Sequence, residues 1–220
     1  IIFDDADLES AVSGGVMRMM SNTGQSCNAP SRMLVQSSVY DQAVKIAKQA
    51  AESVVVDQPT SQGGHIGPLS SRVQFEKVQG LIEKGISEGA TLVAGGLGKP
   101  EGFDSGYFVK PTVFAGVNNQ MTIAQEEIFG PVLAMIPFDT EEQAIEIAND
   151  TPYGLAAYFS TSNAERARRV GSQLRAGMVS VNSASQDYAA PFGGYKQSGN
   201  GREWGEFGFD DYLEIKGITS

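Results

Sequence analysis

Among the side chains of this sequence, the thiol of Cys27 is the one least explained by packing. It is the only cysteine in 220 residues, and it sits in "SNTGQSCNAPSRMLV", after a Gly-Gln step and just ahead of an apolar run. A free cysteine used as a small hydrophobe normally lies inside such a run. This one stands beside it. A thiolate attacks carbonyl carbon well, and amide groups converging at a loop-to-element junction can activate it and stabilise the oxyanion that follows attack. The bland alternative is a buried or incidental thiol. A cysteine–histidine protease pair is the usual rival, but the only histidine, His65, lies in the glycine-rich loop "QGGHIGP", where capping or solvating a turn suits it better. Spacing alone leaves nucleophile and incidental thiol both open.

Holding a reactive group in place requires a core, and 41% hydrophobic content over this length can bury one. Lys and Arg total 16 against 26 Asp and Glu, a formal charge of -10, which argues against a phosphate-tracking surface and therefore against nucleic acid as a partner. One cysteine cannot form an internal disulfide, and with one histidine it cannot furnish a zinc-type site, so no metal is expected. A reducing compartment, the cytoplasm, is expected. No apolar run reaches the length that crosses a bilayer, so no membrane partner is expected. No signal peptide is visible, although the chain opens with Ile1 and not Met, which leaves an upstream leader open.

The elements that would position Cys27 alternate along the chain. "DADLESAVSGGVMRMM" places Leu8, Val12, Val16 and Met20 at helical spacing, with Asp5 or Asp7 available as N-cap. "RMLVQ" reads as a strand, and the following segment as a helix whose apolar face is Val39, Ala43, Ile46, Ala47 and Ala50. Helix "VQFEKVQGLIEKGISEG", strand "ATLVAGG", extended run "GYFVKPTVFAGV" and strand "PVLAMIPF" continue the pattern. "TEEQAIEIAND", "LAAYFST", "NAERARRVGSQL" and "GMVSVNS" repeat helix, strand, helix, strand. Strands apolar on both faces between helices predict an α/β fold: a mostly parallel twisted sheet flanked by helices. After Gly193 the alternation stops. Residues 1–197 are therefore expected to form one domain and residues 198–220 a tail, ending in a strand over about 213–219 that pairs elsewhere, on another chain.

Three segments then carry a resemblance. "GQSCNAPSRMLV" resembles the active-site cysteine segment of the NAD(P)-dependent aldehyde dehydrogenase superfamily, and "EEIFGPVLAMIPF" and "PFGGYKQSGNGREWGEFGF" resemble two further motifs of that family in the same order. "FDDADLESAV", "GHIGPLSSRVQFEKV", "GYFVKPTVF" and "NDTPYGLAAYFST" extend the likeness over essentially the whole chain. The resemblance implies that Cys27 is the nucleophile, attacking an aldehyde to form a thiohemiacetal that loses hydride to NAD or NADP and leaves a thioester for water to hydrolyse. Glu127 resembles the glutamate that hydrogen-bonds the nicotinamide ribose, Phe129 borders the nicotinamide, and Gln74 resembles a position reaching the adenosine side, with Lys77 a weaker candidate. Phe192 resembles the aromatic wall of the aldehyde tunnel, and Ser26 and Asn28 set the size of the substrate pocket. Without the resemblance, Glu127 is a loop acid, Gln74 part of a solvated helix face, and Phe129 and Phe192 core aromatics. Asn182 in "SVNS" reads as structural, since Asn at a strand end commonly satisfies loop backbone. Neither "GGLG" nor "GGYKQSG" fits a dinucleotide fingerprint.

The likeness also implies what is missing. Relatives of this kind carry a cofactor domain, an oxyanion-hole asparagine and a general-base glutamate ahead of the segment matching "IIFDDADL". The chain is thus expected to be the catalytic domain and tail, holding a reactive thiol but no turnover by itself. Complete enzymes of this kind imply a homodimer or homotetramer. Two alternatives are an acylating, coenzyme A-dependent variant and a half-enzyme that only binds.

Overall fold

A computed structural model describes residues 1–219 of the chain. The first helix, α1 (Leu8–Met20), begins where the Asp7 carboxylate accepts from the Ser10 amide, and it buries Val12, Val16, Met19 and Met20 on one face. Strand β1 (Arg32–Gln36) and helix α2 (Tyr40–Glu52) follow, the latter burying Ala43, Ile46, Ala47, Ala50 and Ala51. Helix α3 (Arg72–Ser87), capped by Ser71, leads to strands β2 (Thr91–Ala94) and β3 (Thr112–Ala115). The short helix α4 (Thr122–Gln125), strand β4 (Val132–Phe138), helix α5 (Glu141–Asn149) and strand β5 (Ala156–Phe159) come next. Helix α6 (Ala164–Gln173), strand β6 (Met178–Val181) and the single-turn helix α7 (Gly205–Phe209) complete the order.

Four strands pair in the order β1-β4-β3-β2, parallel except for the antiparallel edge pair β2–β3. Strands β5 and β6 form a second, parallel pair. Residues 1–3 join the two. The Ile2 amide donates to Leu34 (2.8 Å) and its carbonyl accepts from Gln36 (3.0 Å), while Phe3 donates to Ser160 and Ser160 back to Ile1. Three residues thus bridge β1 to β5 and make one continuous, mostly parallel layer. Asp5 fastens the same junction from outside, accepting from Thr161 Oγ1 (2.8 Å) and pairing with Arg166 (3.0 Å).

The central strand shows why its sequence is apolar throughout. Val132, Ala134, Ile136 and Phe138 enter the core shared with α3, α5 and α6, whereas Leu133 and Met135 enter the core shared with α1 and α2. Successive side chains of a strand point to opposite faces, so a sheet covered on both sides leaves no position for a polar alternation. Burial of each of these side chains larger than alanine contributes about 1.5–3 kcal/mol.

Residues 213–219 are the segment expected to pair on another chain. Residues 213–219 form no strand in the single chain, and their apolar side chains stand in solvent, Ile215 at 99% exposure and Ile218 at 87%. A strand exists only where a neighbour supplies its ladder, and among the described residues no strand pairs with that segment. The start of the tail, by contrast, folds back: Phe192 and Glu203 exchange two 2.7 Å backbone hydrogen bonds, and Arg202 donates to the Gly194 carbonyl. No helix among the described residues is long and apolar enough to cross a membrane.

Candidate active site

Cys27 follows an unusual connection. Helix α1 runs into a turn in which Asn22, Thr23 and Gly24 all adopt left-handed backbone, with φ of 51°, 57° and 68°. Side chains hold this turn open. Asn22 Nδ2 donates to the Gln25 carbonyl (2.9 Å), Thr23 Oγ1 to the Gly67 carbonyl (3.1 Å), and the Ser70 amide to Gln25 Oε1 (2.8 Å). A tight turn then closes from Ala29 N to Ser26 O (3.0 Å), with Cys27 and Asn28 at its tip and the strand β1 just beyond. The thiol is exposed. Among the described residues, the Cys27 amide donates no hydrogen bond, so it is free to meet an oxyanion.

Gly24 fixes where this turn sits. A Cβ built on it would lie 2.1 Å from the Gly130 carbonyl oxygen, so only glycine lets the cysteine loop and the loop ahead of β4 touch. Phe129, in that second loop, also has left-handed backbone (φ 56°), which costs a bulky residue about 1–2 kcal/mol. Gln74 stabilises it. From the first turn of α3 its side-chain amide donates to the Phe129 carbonyl (2.8 Å) and to that of Ile128 (3.0 Å).

One cleft of about 460 Å³ gathers the result: Ser26, Cys27 and Asn28 line it together with Glu127 and Phe129, about a hundred residues away in sequence. The Glu127 carboxylate is exposed there. Gln74 and Phe192 do not line this cleft. Gln74 is turned to the back of the Phe129 loop by the two bonds just described. Phe192 stacks on Trp204 with centroids 4.8 Å apart, pulled there by its backbone pairing with Glu203. Asn182 is structural: its side chain accepts from the Thr161 amide and donates to the Thr161 carbonyl, both at 2.9 Å, clipping the ends of β5 and β6 together.

Two cleft residues carried no signal in the sequence. Tyr158, inside the apolar run of β5, donates its hydroxyl to the Asn28 carbonyl at 2.8 Å, next to Cys27. Burial pushes that hydroxyl's pKa up, with the nearby Arg18 opposing and Cys27 reinforcing the shift, so it remains a donor at neutral pH. Arg18, on the last turn of α1, covers the Tyr158 ring at 4.9 Å from its centroid. The apolar run in "LAAYFST" marks a strand, and nothing local tells that its tyrosine faces a loop 130 residues earlier.

With this geometry in place, comparison with known proteins bears on it directly. A model described as the aldehyde dehydrogenase family matches residues 1–218. A 3-succinoylsemialdehyde-pyridine dehydrogenase of a Pseudomonas species is 57% identical over 99% of this chain, which spans 46% of that relative. A cysteine-to-alanine mutant of aldehyde dehydrogenase C from Pseudomonas syringae, complexed with NAD+ and octanal, superposes with a TM-score of 0.94 at 48% identity, over 97% of this chain and 44% of that one. An aldehyde dehydrogenase of Mycobacterium tuberculosis complexed with NAD+ gives 0.92 at 46% identity, over 100% and 47%. The chain spans a little under half the length of each of these relatives.

Proposed function

The chain belongs to the aldehyde dehydrogenase family, and on that premise we propose that it supplies the nucleophile-bearing part of an enzyme oxidising an aldehyde to a carboxylic acid with NAD or NADP. The observation that carries this reading is the meeting of Cys27, Glu127 and Phe129 in one cleft. Cys27 Sγ adds to the aldehyde carbon, forming the C–S bond of a thiohemiacetal. The negative oxygen so created is met by the Cys27 amide, and it drives hydride from the same carbon. When bound, the nicotinamide cofactor supplies the acceptor for that hydride. Water then releases the acid from the thioester and regenerates the thiol. Ser26 and Asn28 bound the pocket for the aldehyde, whereas Phe192, outside the cleft and against Trp204, is not part of its wall in this chain.

The residues present suit such a cofactor. An exposed carboxylate in the cleft, Glu127, can accept from both hydroxyls of a ribose. Phe129 borders the ring, and Gln74 holds its loop in place. Neither coenzyme A-dependent release nor a binding-only role gains support from the relatives described. Glu127→Gln in a protein carrying this chain should slow NADH formation by roughly 10–100-fold through a misplaced nicotinamide. Alkylation of Cys27 by iodoacetamide should change little. Equal loss of both would mean that the loop had collapsed, and unimpaired turnover would remove Glu127 from the site.

The free thiol suits the cytoplasm, and segment 213–219, with Leu213, Ile215 and Ile218 exposed, suits an oligomer-forming strand in a homodimer or homotetramer. The division at 197/198 follows from the same reading. Light scattering on the chain with and without residues 213–219 tests it. An unchanged mass on deletion would dismiss the strand's role.

A further inference from the structure

We infer that Arg18 is a specificity residue: standing on the face of Tyr158 beside Cys27, it offers a receiving point for a carboxylate at the far end of the aldehyde. The inference rests on the reading of Cys27 as nucleophile and adds the chemical class of its substrate. Val16 and Met19, buried in the core on either side, fix the rotation of α1 and leave Arg18 exposed on the cleft. Its guanidinium carbon lies 4.9 Å from the Tyr158 ring centroid, and that ring's hydroxyl is 2.8 Å from the Asn28 carbonyl. One aromatic side chain therefore separates the cation from the backbone that carries the nucleophile.

Among the described residues Arg18 forms no ion pair. The other charged groups on the cleft are placed differently. Arg32 is occupied by the Asn119 side chain and the Ile147 carbonyl (2.7 Å). Arg175 lies beyond α6, and Glu126 and Glu127 come from the loop ahead of β4. The Arg18 guanidinium lies over the ring with a hydrogen bond toward the Tyr158 hydroxyl, and the further N–H donors of its fork remain for a carboxylate. An uncharged aldehyde gains nothing from it. On a chain of net charge -10, a local cation is also what lets an anionic substrate approach.

The test uses the chain itself and two thiol reagents, N-iodoacetylglycine and N-iodoacetylglycinamide. In both, the Cys27 thiolate displaces iodide from the same CH2 group. They differ only in a carboxylate or a neutral amide at the far end. The ratio of anionic to neutral labelling rate, followed by mass spectrometry, should fall about three- to tenfold in Arg18→Gln, the effect of one cation at this kind of distance in a solvated cleft. Arg18→Lys should keep most of the ratio, added salt should erode it in the native chain, and Lys48→Gln on the remote face of α2 should leave it alone. A ratio indifferent to Arg18→Gln overturns the inference while Cys27 stands. Failure of both reagents to label Cys27 in the folded chain overturns the nucleophile reading, and the inference with it.

Discussion

Cys27→Ser in a protein carrying this chain is expected to lower aldehyde oxidation by about 10⁴-fold or more, because the chemistry depends on a group that is nucleophilic without a strong neighbouring base. A serine hydroxyl must be deprotonated to attack, and the only histidine of the chain, His65, does not line the cleft. The turn itself has no reason to change. Cys27 is exposed at its tip, and the bonds that shape it come from Asn22, Thr23, Gln25 and Tyr158. The variant should therefore keep the thermal unfolding of the parent while losing both NADH formation and the iodoacetamide adduct. Turnover within tenfold of wild type would show that another group performs the attack. A collapsed unfolding transition would instead mean that the thiol packs in a way its exposure denies.

Gly24→Ala should be the most damaging single methyl in the site, destabilising the fold by about 2–4 kcal/mol. Two costs combine. The φ of 68° is left-handed, and the added Cβ would approach the Gly130 carbonyl oxygen to 2.1 Å, backbone against backbone, with no side chain to swing aside. The loops of Cys27 and Phe129 would have to separate, so the loss of thiol placement should exceed the loss of global stability. Gly14→Ala is the matched control. Its Cβ meets nothing within 4 Å, and it lies inside α1, where alanine is favoured over glycine by about 0.5–1 kcal/mol. Denaturant unfolding of the two variants should move in opposite directions. A Gly24→Ala chain as stable as the parent would show that the two loops are not held in contact.

The elements were legible because their physics is local. The apolar spacing of Val12, Val16 and Met20 marks one face of a helix, and "PVLAMIPF" is apolar at odd and even positions alike because helices cover both faces of β4. The cysteine too was legible as an anomaly, being next to an apolar run and outside it. What stayed hidden depended on a partner far along the chain. Residues 1–3 join β1 to β5, and a three-residue bridge has no periodicity to detect. The antiparallel pairing of β2 with β3 is equally absent from the alternation of elements, which does not record strand direction. Segment 213–219 has the composition of a strand, but a strand is a property of two segments, and among the described residues no second one pairs with it.

Residue type and short-range period are enough for the α/β class, the order of helices and strands, and the placing of a lone thiol at a loop-to-strand junction. Chain packing is what brings Glu127 and Phe129 into one cleft with Cys27, sets Gln74 behind the Phe129 loop, and tilts Phe192 against Trp204. It also brought Tyr158 and Arg18 to the cysteine turn. Those outcomes turn on which backbones can approach each other, as Gly24 and Gly130 do, and on hydrogen bonds closed across the whole chain. Such contacts are made by packing, where a difference of one methyl group changes the answer, and no window of neighbouring residues contains both partners.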